Sequence, residues 1–263
     1  MAHILAALAL VLSVQTEARR DPAYQDPVQL ADHASRLAAQ ARSLGPTSDQ
    51  GRRYASQAAL WCMYAHAALC FRDETDESQV RAVREAAERC AEVIPDKLAV
   101  EEVRAYRQST ARYCVLASVR TLLSRWGIEA SEGELGELAG ERLTETGLNV
   151  SFVLEALPRY GVSVLACEGD TTLVRVALAA GLPVGVYQWV RRDRDVPHMR
   201  VVTGCDRDTA SGNWVWNLLD PAPEMPARWR ASDEEFQALW TCRWDEDGHS
   251  RWMCVPYAAY RRR

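Results

Sequence analysis

Gln108 to Gly127 reads QSTARYCVLASVRTLLSRWG, a polar entry followed by an apolar run, and the rest of the chain is understood outward from it. Val115, Leu116, Val119, Leu122 and Leu123 recur at helical spacing, so the pattern predicts a helix with Ala117, Ser118 and Arg120 facing elsewhere. Cys114 then falls in the first turn. Backbone N–H groups there lack intrahelical acceptors, and the positive end of the helix dipole favours a thiolate over a thiol. Gln108 stands six residues before the cysteine, placed to aim an amide donor at a carbonyl that Cys114 attacks.

A thiol nucleophile also needs a base and a group that holds the base. Downstream, His198 opens HMRVVTG, a short β-branched run after Pro197, and Asp220 closes WVWNLLDP, a second such run. DRDTASGN, from Asp206 to Asn213, joins them as a turn-rich connection of the kind that makes a hairpin. Two antiparallel strands so joined put His198 near the start of one beside Asp220 at the end of the next. If the hairpin is absent, Asp206 becomes the rival orienting acid. The other histidines, His3, His33, His66 and His249, have no strand behind them. His249 is the substitute base, because it too follows Cys114.

From Arg107 to Trp240 these residues resemble the bacteriocin-processing (double-glycine leader) cysteine peptidases, more closely their free-standing relatives, of papain-like fold. That family's pattern is Gln, five residues, Cys and an apolar helix, then His with a Val-Val-x-Gly strand, then Asp-Pro. The chain supplies Gln108, Cys114, His198 with Val201, Val202 and Gly204, and Asp220 with Pro221. SEGELGELAG, TGLNVSFVLEALPRYGVSVLAC and VRVALAAGLPVGVYQWV continue the likeness between the second and third elements. Two departures stand out. Val115 occupies the place where the family most often has Gly, adding bulk beside the scissile bond, and the spacer from His198 to Asp220 is long.

The resemblance implies an α+β, papain-like domain and a cysteine hydrolase, most simply a peptidase. In it Cys114 is the nucleophile, His198 base and acid, Asp220 the orienter and Gln108 the oxyanion donor. Two alternatives stay open. Phytochelatin-synthase-like transpeptidases share Gln108, Tyr113, Cys114 and Leu116 to Ser118, and pass the acyl group to a thiol peptide. A peptide-binding module of the same fold would carry no chemistry.

Composition sets outer bounds. With 263 residues, 48% of them hydrophobic, the chain can bury a core for a catalytic domain and a smaller module. A formal net charge of −5 argues against a nucleic-acid groove. Arg191, Arg192 and Arg194 form a basic cluster ahead of His198, and Arg261 to Arg263 a basic tail. Eight cysteines show no Cys-x-x-Cys pair and no zinc spacing, so neither metal nor cofactor is expected; Cys62 and Cys90 are the pair to test for a disulfide. Ile4 to Val14 is an apolar run, followed by Thr16-Glu17-Ala18 with small residues where a signal peptidase reads. It suggests export and a signal peptide over 1–18, with an ordinary buried helix as the alternative. It is too short to span a bilayer.

Residues 19–98 read as a helical region and 99–263 as the catalytic domain. Asp26-Pro27 starts a helix that Gly45-Pro46 ends; a second follows Ser48 and Asp49; a third runs from Asp76 to Val93 with Val80, Val83, Ala87 and Cys90 on its stripe. Ser131 with Glu134, and Ser232 with Glu235, read as capping boxes. Strands are expected at 162–167, 183–190, 199–205 and 214–219, mostly antiparallel, with 252–257 as an extra edge strand.

Overall fold

A computed structural model describes residues 25–70, 72, 74–243 and 250–259. The segment 1–18, expected to be a signal peptide, with His3, His249 and Arg261 to Arg263, lies outside the described residues. The chain divides into two compact units between Val93 and Ile94.

The first unit is helical. Helix α1 (Pro27–Ser43) begins where Asp26 accepts the N–H of Val28 with Pro27 in the first turn, and Gly45, at φ +81°, turns the chain away from its end. Helix α2 (Asp49–Cys70) and helix α3 (Glu77–Ala91) pack with it through alanines, among them Ala34, Ala38, Ala58, Ala65 and Ala86, all buried. Small side chains let the helix axes approach closely. Val80, expected on the apolar stripe of α3, is 45% exposed, and Ala86 takes the inward place. Cys62 and Cys90 meet across α2 and α3 as buried thiols, and none of the eight cysteines, all among the described residues, forms a disulfide.

The second unit is a sheet with helices packed on it. Its elements are β1 (Lys97–Ala99), α4 (Cys114–Ser124), α5 (Glu132–Ala139), α6 (Val153–Arg159), β2 (Val162–Glu168), α7 (Thr171–Ala179), β3 (Val184–Arg191), β4 (Arg194–Arg207), β5 (Trp214–Leu219), β6 (Arg228–Ser232), α8 (Asp233–Leu239) and β7 (Trp252–Ala259). The strand order is β2-β7-β3-β4-β5-β6, with β1 paired to β4, and every pairing is antiparallel. This is the α+β arrangement the sequence implies. The full capping box forms at Ser131 and Glu134, while at Ser232 the hydroxyl accepts the Glu235 N–H.

Three expectations are corrected. Segment 252–257 is not an edge strand: β7 lies between β2 and β3, because the side chains from Trp252 to Tyr257 are buried and need cover on both sides. Pro256 is tolerated there because β3 pairs with β7 only at Met253 and Cys254, leaving no ladder partner on that side for the missing N–H. Second, β4 does not start after Pro197 but runs through it from Arg194, pairing Pro197 with Trp189 and His198 with Gln188. Third, α4 is not amphipathic. Ala117 and Ser118 are as buried as Leu116, Val119, Leu122 and Leu123, and only Arg120 reaches partly out. Full burial of each large aliphatic side chain contributes roughly 1.5–3 kcal/mol, so this helix anchors the unit.

Candidate active site

Tyr113 stands at the N-cap of α4 and makes no side-chain cap. The first N–H groups of the helix are therefore left for whatever lies before them. Cys114 is the first helical residue and is 8% exposed. Ser118, one turn on, donates from Oγ to the Met199 carbonyl at 3.0 Å, which pins the helix to β4 beside His198. Burial pushes the Cys114 thiol up, but the hydrogen bond and charge of His198, with the Met199 and Val115 N–H groups, outweigh it and hold the thiol below its ordinary value. Val115 is fully buried, so the bulk it adds enters the core while its N–H faces the sulfur.

His198 and Asp220 come together through the β4–β5 hairpin. Val201 pairs with Leu219, so one step further along Arg200 stands opposite Asp220, and His198 lies two residues from Arg200 on the same face. His198 Nε2–H donates to Asp220 Oδ1 at 2.8 Å, which leaves Nδ1 for the thiol. Burial pulls the His198 ring down, yet its hydrogen bonds to Asp220 and Cys114 raise it above its ordinary value. Burial alone would raise Asp220; the hydrogen bond and charge of His198, the Arg200 charge and the Ala222 N–H bring it to about 2. The imidazolium and thiolate forms thus support each other.

Asp206 is not in this group. The strand continues to Arg207, the turn spans 208–213, and Asp206 pairs with Asn217 at 3.3 Å and Arg230 at 3.1 Å. Eight residues of strand from His198 place it about 26 Å away. The long spacer is the hairpin.

Gln108 is 5% exposed; its Nε2 donates to the Thr110 carbonyl at 2.9 Å, and Oε1 has no hydrogen-bond partner among the described residues. One amide hydrogen is spoken for and the other is not. The backbone N–H of Gln108 donates to the Pro221 carbonyl, so its loop is fastened next to Asp220.

Three further residues escape the sequence reading. Arg200, with 0% exposure, donates from Nε to Asp220 Oδ2 at 2.6 Å, from Nη1 to the Trp189 carbonyl at 3.0 Å and from Nη2 to the Val190 carbonyl at 2.7 Å. The signal was present as an arginine inside a β-branched run, where a buried charge demands a counter-charge. Arg107 donates to the carbonyls of Asp220 and Met225, and Tyr187 on β3 lies near the thiol, its hydroxyl held well above the ordinary range by burial and by Cys242 and Cys114. Of the basic cluster, Arg191 pairs with Asp193 and Arg192 with Glu234. Among the described residues no group of three or more His, Cys, Asp or Glu side chains is placed to hold a metal ion, and no helix is long and apolar enough to cross a membrane.

The arrangement is a thiol at an open helix start, an imidazole held by a buried carboxylate, and a buried glutamine whose backbone is fastened beside that carboxylate. Such groups can exchange a proton and form a covalent acyl intermediate. Comparison with solved structures finds the peptidase domain of Streptococcus ComA, described as a bifunctional ABC transporter involved in a quorum-sensing pathway, at 19% identity, covering 59% of this chain and 99% of that one, with a TM-score of 0.45. The peptidase domain of Streptococcus mutans ComA matches at 19% identity, 57% and 95% coverage and a TM-score of 0.38. UfSP from C. elegans matches at 16%, 62% and 34%, with 0.35. No curated protein matches the chain. The Peptidase C39 family matches residues 102–243, more than half of the chain and the whole span from Gln108 to Asp220, so this chain belongs to that family and is a cysteine peptidase.

Proposed function

We propose that the chain cleaves peptides through a thioester on Cys114, with His198 as base and acid, Asp220 as orienter and Gln108 with the helix start as oxyanion donors. The observation that carries this reading is the buried hydrogen bond from His198 Nε2 to Asp220 Oδ1, which leaves the other ring nitrogen for the thiol. The Cys114 thiolate attacks the scissile carbonyl carbon. The oxyanion forms in front of the uncapped first turn of α4, and the unspoken Gln108 N–H supplies a second donor. His198 gives its proton to the departing amine, the C–N bond breaks, and the acyl group stays on sulfur. Water then attacks the thioester as His198 takes its proton, releasing the carboxylic acid and restoring the thiol. The Asp220 carboxylate stays ionised throughout and holds the ring in one tautomer.

The substrate in this reading is a peptide or protein segment, and the helical unit is a scaffold. Incubating purified protein with iodoacetamide at mildly acidic pH tests the core of it: Cys114 is alkylated rapidly while Cys62, Cys90, Cys205 and Cys254 are not. Burial holds Cys205 up at about 12, and Cys254 higher still, so these thiols are inert there. Equal reactivity of Cys114 and the buried thiols overturns the assignment. Glutathione added to a turning-over reaction distinguishes hydrolysis from transfer: free acid as the sole acyl product supports hydrolysis, and chain-extended glutathione supports a transpeptidase.

A further inference from the structure

We propose that Arg200 is a positioning residue for the thiol chemistry: it takes one oxygen of Asp220, ties it to the end of β3, and leaves the other oxygen aimed at His198 with its charge intact. The proposal rests on the assignment of Cys114, His198 and Asp220 given above.

Arg200 offers five N–H donors in a fixed plane, and four are directed at acceptors: Asp220 Oδ2 at 2.6 Å, the Gln188 amide oxygen at 3.4 Å, and the carbonyls of Trp189 and Val190. The guanidinium also lies 4.9 Å from the Trp229 ring centre, and Gln188 is itself held by donating to the Phe236 carbonyl at 3.2 Å. None of these groups is free to swing. Asp220 therefore has its second oxygen fixed from one side while Oδ1 accepts from His198 and from the Ala222 N–H, both at 2.8 Å. A carboxylate gripped at both oxygens cannot rotate away from the imidazole.

Arg200 acts on charge as well as on geometry. The carboxylate lies between the two cations, so His198 meets a negative neighbour at 2.8 Å with the guanidinium on the far oxygen. Without that guanidinium, a carboxylate buried to 1% exposure would take up a proton readily and cease to support the imidazolium. The other charged or titratable groups facing the assembly are Cys114 from α4, Tyr187 from β3 and Arg107 from the segment before α4. Arg107 addresses the Asp220 backbone carbonyl and leaves both carboxylate oxygens alone, so it does not substitute for Arg200.

The experiment compares the full chain with Arg200→Gln, Arg200→Lys and Asp220→Asn. Two rates are read: iodoacetamide alkylation of Cys114 from about pH 3 to about pH 9, assigned by peptide mass mapping, and deacylation after p-nitrophenyl acetate, normalised to titrated thiolate. Arg200→Gln should move the acid limb of alkylation upward by about one pH unit or more, toward the Asp220→Asn profile. Arg200→Lys keeps the charge but not the planar fork, so its acid limb should stay near wild type while deacylation slows about tenfold. An Arg200→Gln limb that coincides with wild type overturns the proposal, whatever happens to its melting temperature. If Arg200→Gln does not fold, Arg200→Lys decides, and wild-type deacylation in it is the overturning result. A wild-type enzyme in which Cys114 shows no acid-shifted reactivity would instead remove the underlying triad assignment.

Discussion

The backbone N–H of Gln108 donates to the Pro221 carbonyl at 2.9 Å, so the loop that leads into α4 is stitched to the residue that follows Asp220. Arg107 reinforces the stitch at 3.1 Å to the Asp220 carbonyl and 2.7 Å to that of Met225. Two parts of the sequence more than a hundred residues apart are thereby held together beside Asp220.

Cutting that stitch should therefore reach the site. Arg107→Ala removes two charge-assisted hydrogen bonds to partly buried carbonyls, and a loss of about 1.5–3 kcal/mol in stability is expected. Turnover should fall several-fold with it, because both Gln108 and Asp220 loosen. Chemical denaturation and steady-state rates on one preparation check this, and unchanged turnover would show that the loop is held by other means.

Cys114→Ala is expected to abolish turnover and to change stability by no more than about 1 kcal/mol, since the thiol lies at the edge of the core. Activity retained with a loss of about 2 kcal/mol or more would make it a packing residue.

For the two candidate acids the outcomes differ sharply. Asp220→Asn should lower turnover by about 10²-fold to 10⁴-fold with little change in KM, because the tautomer is no longer enforced. Asp206→Asn should be nearly silent in activity and within about 1 kcal/mol in stability, as its ion pair with Arg230 is exposed on the arginine side.

The pH profiles should separate the two charges of the ion pair. Turnover should be bell-shaped, falling in acid as the thiolate, lowered by His198, takes up a proton, and falling in base as the raised imidazolium loses its own. Alkylation of Cys114 should show only the acid limb. For stability the sign follows from the depressed acid. Asp220 sits at about 2 when folded. Its contribution is full above the unfolded value of about 3.9 and is lost as pH falls through the folded one. The stability gap between wild type and Asp220→Asn should narrow accordingly below about pH 4 in denaturant titrations.

Gly185 supplies a steric test away from the chemistry. A Cβ there would stand 2.6 Å from Cys254 Sγ and 2.7 Å from Met199 Cε, both in the packed core. Gly185→Ala should cost about 1–3 kcal/mol and, by pushing Met199, whose N–H faces the Cys114 sulfur, slow alkylation of that thiol. Thermal melts with alkylation rates read both effects.

The parts of this arrangement that were legible in the sequence are those written locally. Cys114 precedes an apolar helical run, Asp220 ends a strand before a proline, and Ser131 with Glu134 spells a capping box. The interior place of β7 was not legible, because strand order depends on which edges meet and not on spacing along the chain. Nor was the all-round burial of α4, since alanine and serine at 117 and 118 suit either environment. Pro197 misled for a physical reason: a proline usually interrupts a ladder, yet here it lies within β4, opposite Trp189 and close to the irregularity between Trp189 and Arg191. Arg200 was written in the sequence, but its meaning needed the Asp220 pairing that only the register supplies.

The hairpin turn at 208–213 closes on itself. Asp208 accepts from the Ala210 and Ser211 N–H groups and from Ser211 Oγ, Gly212 takes φ +72°, and the residues from Thr209 to Asn213 are exposed. Its first residue lies ten positions beyond His198 along extended chain, a reach of about 33 Å. A fluorophore, an affinity handle or an inserted reporter domain grafted between Thr209 and Gly212 would therefore ride at the far tip of the strand that carries His198, giving an attachment point for single-molecule or pull-down work far from Cys114, His198 and Asp220.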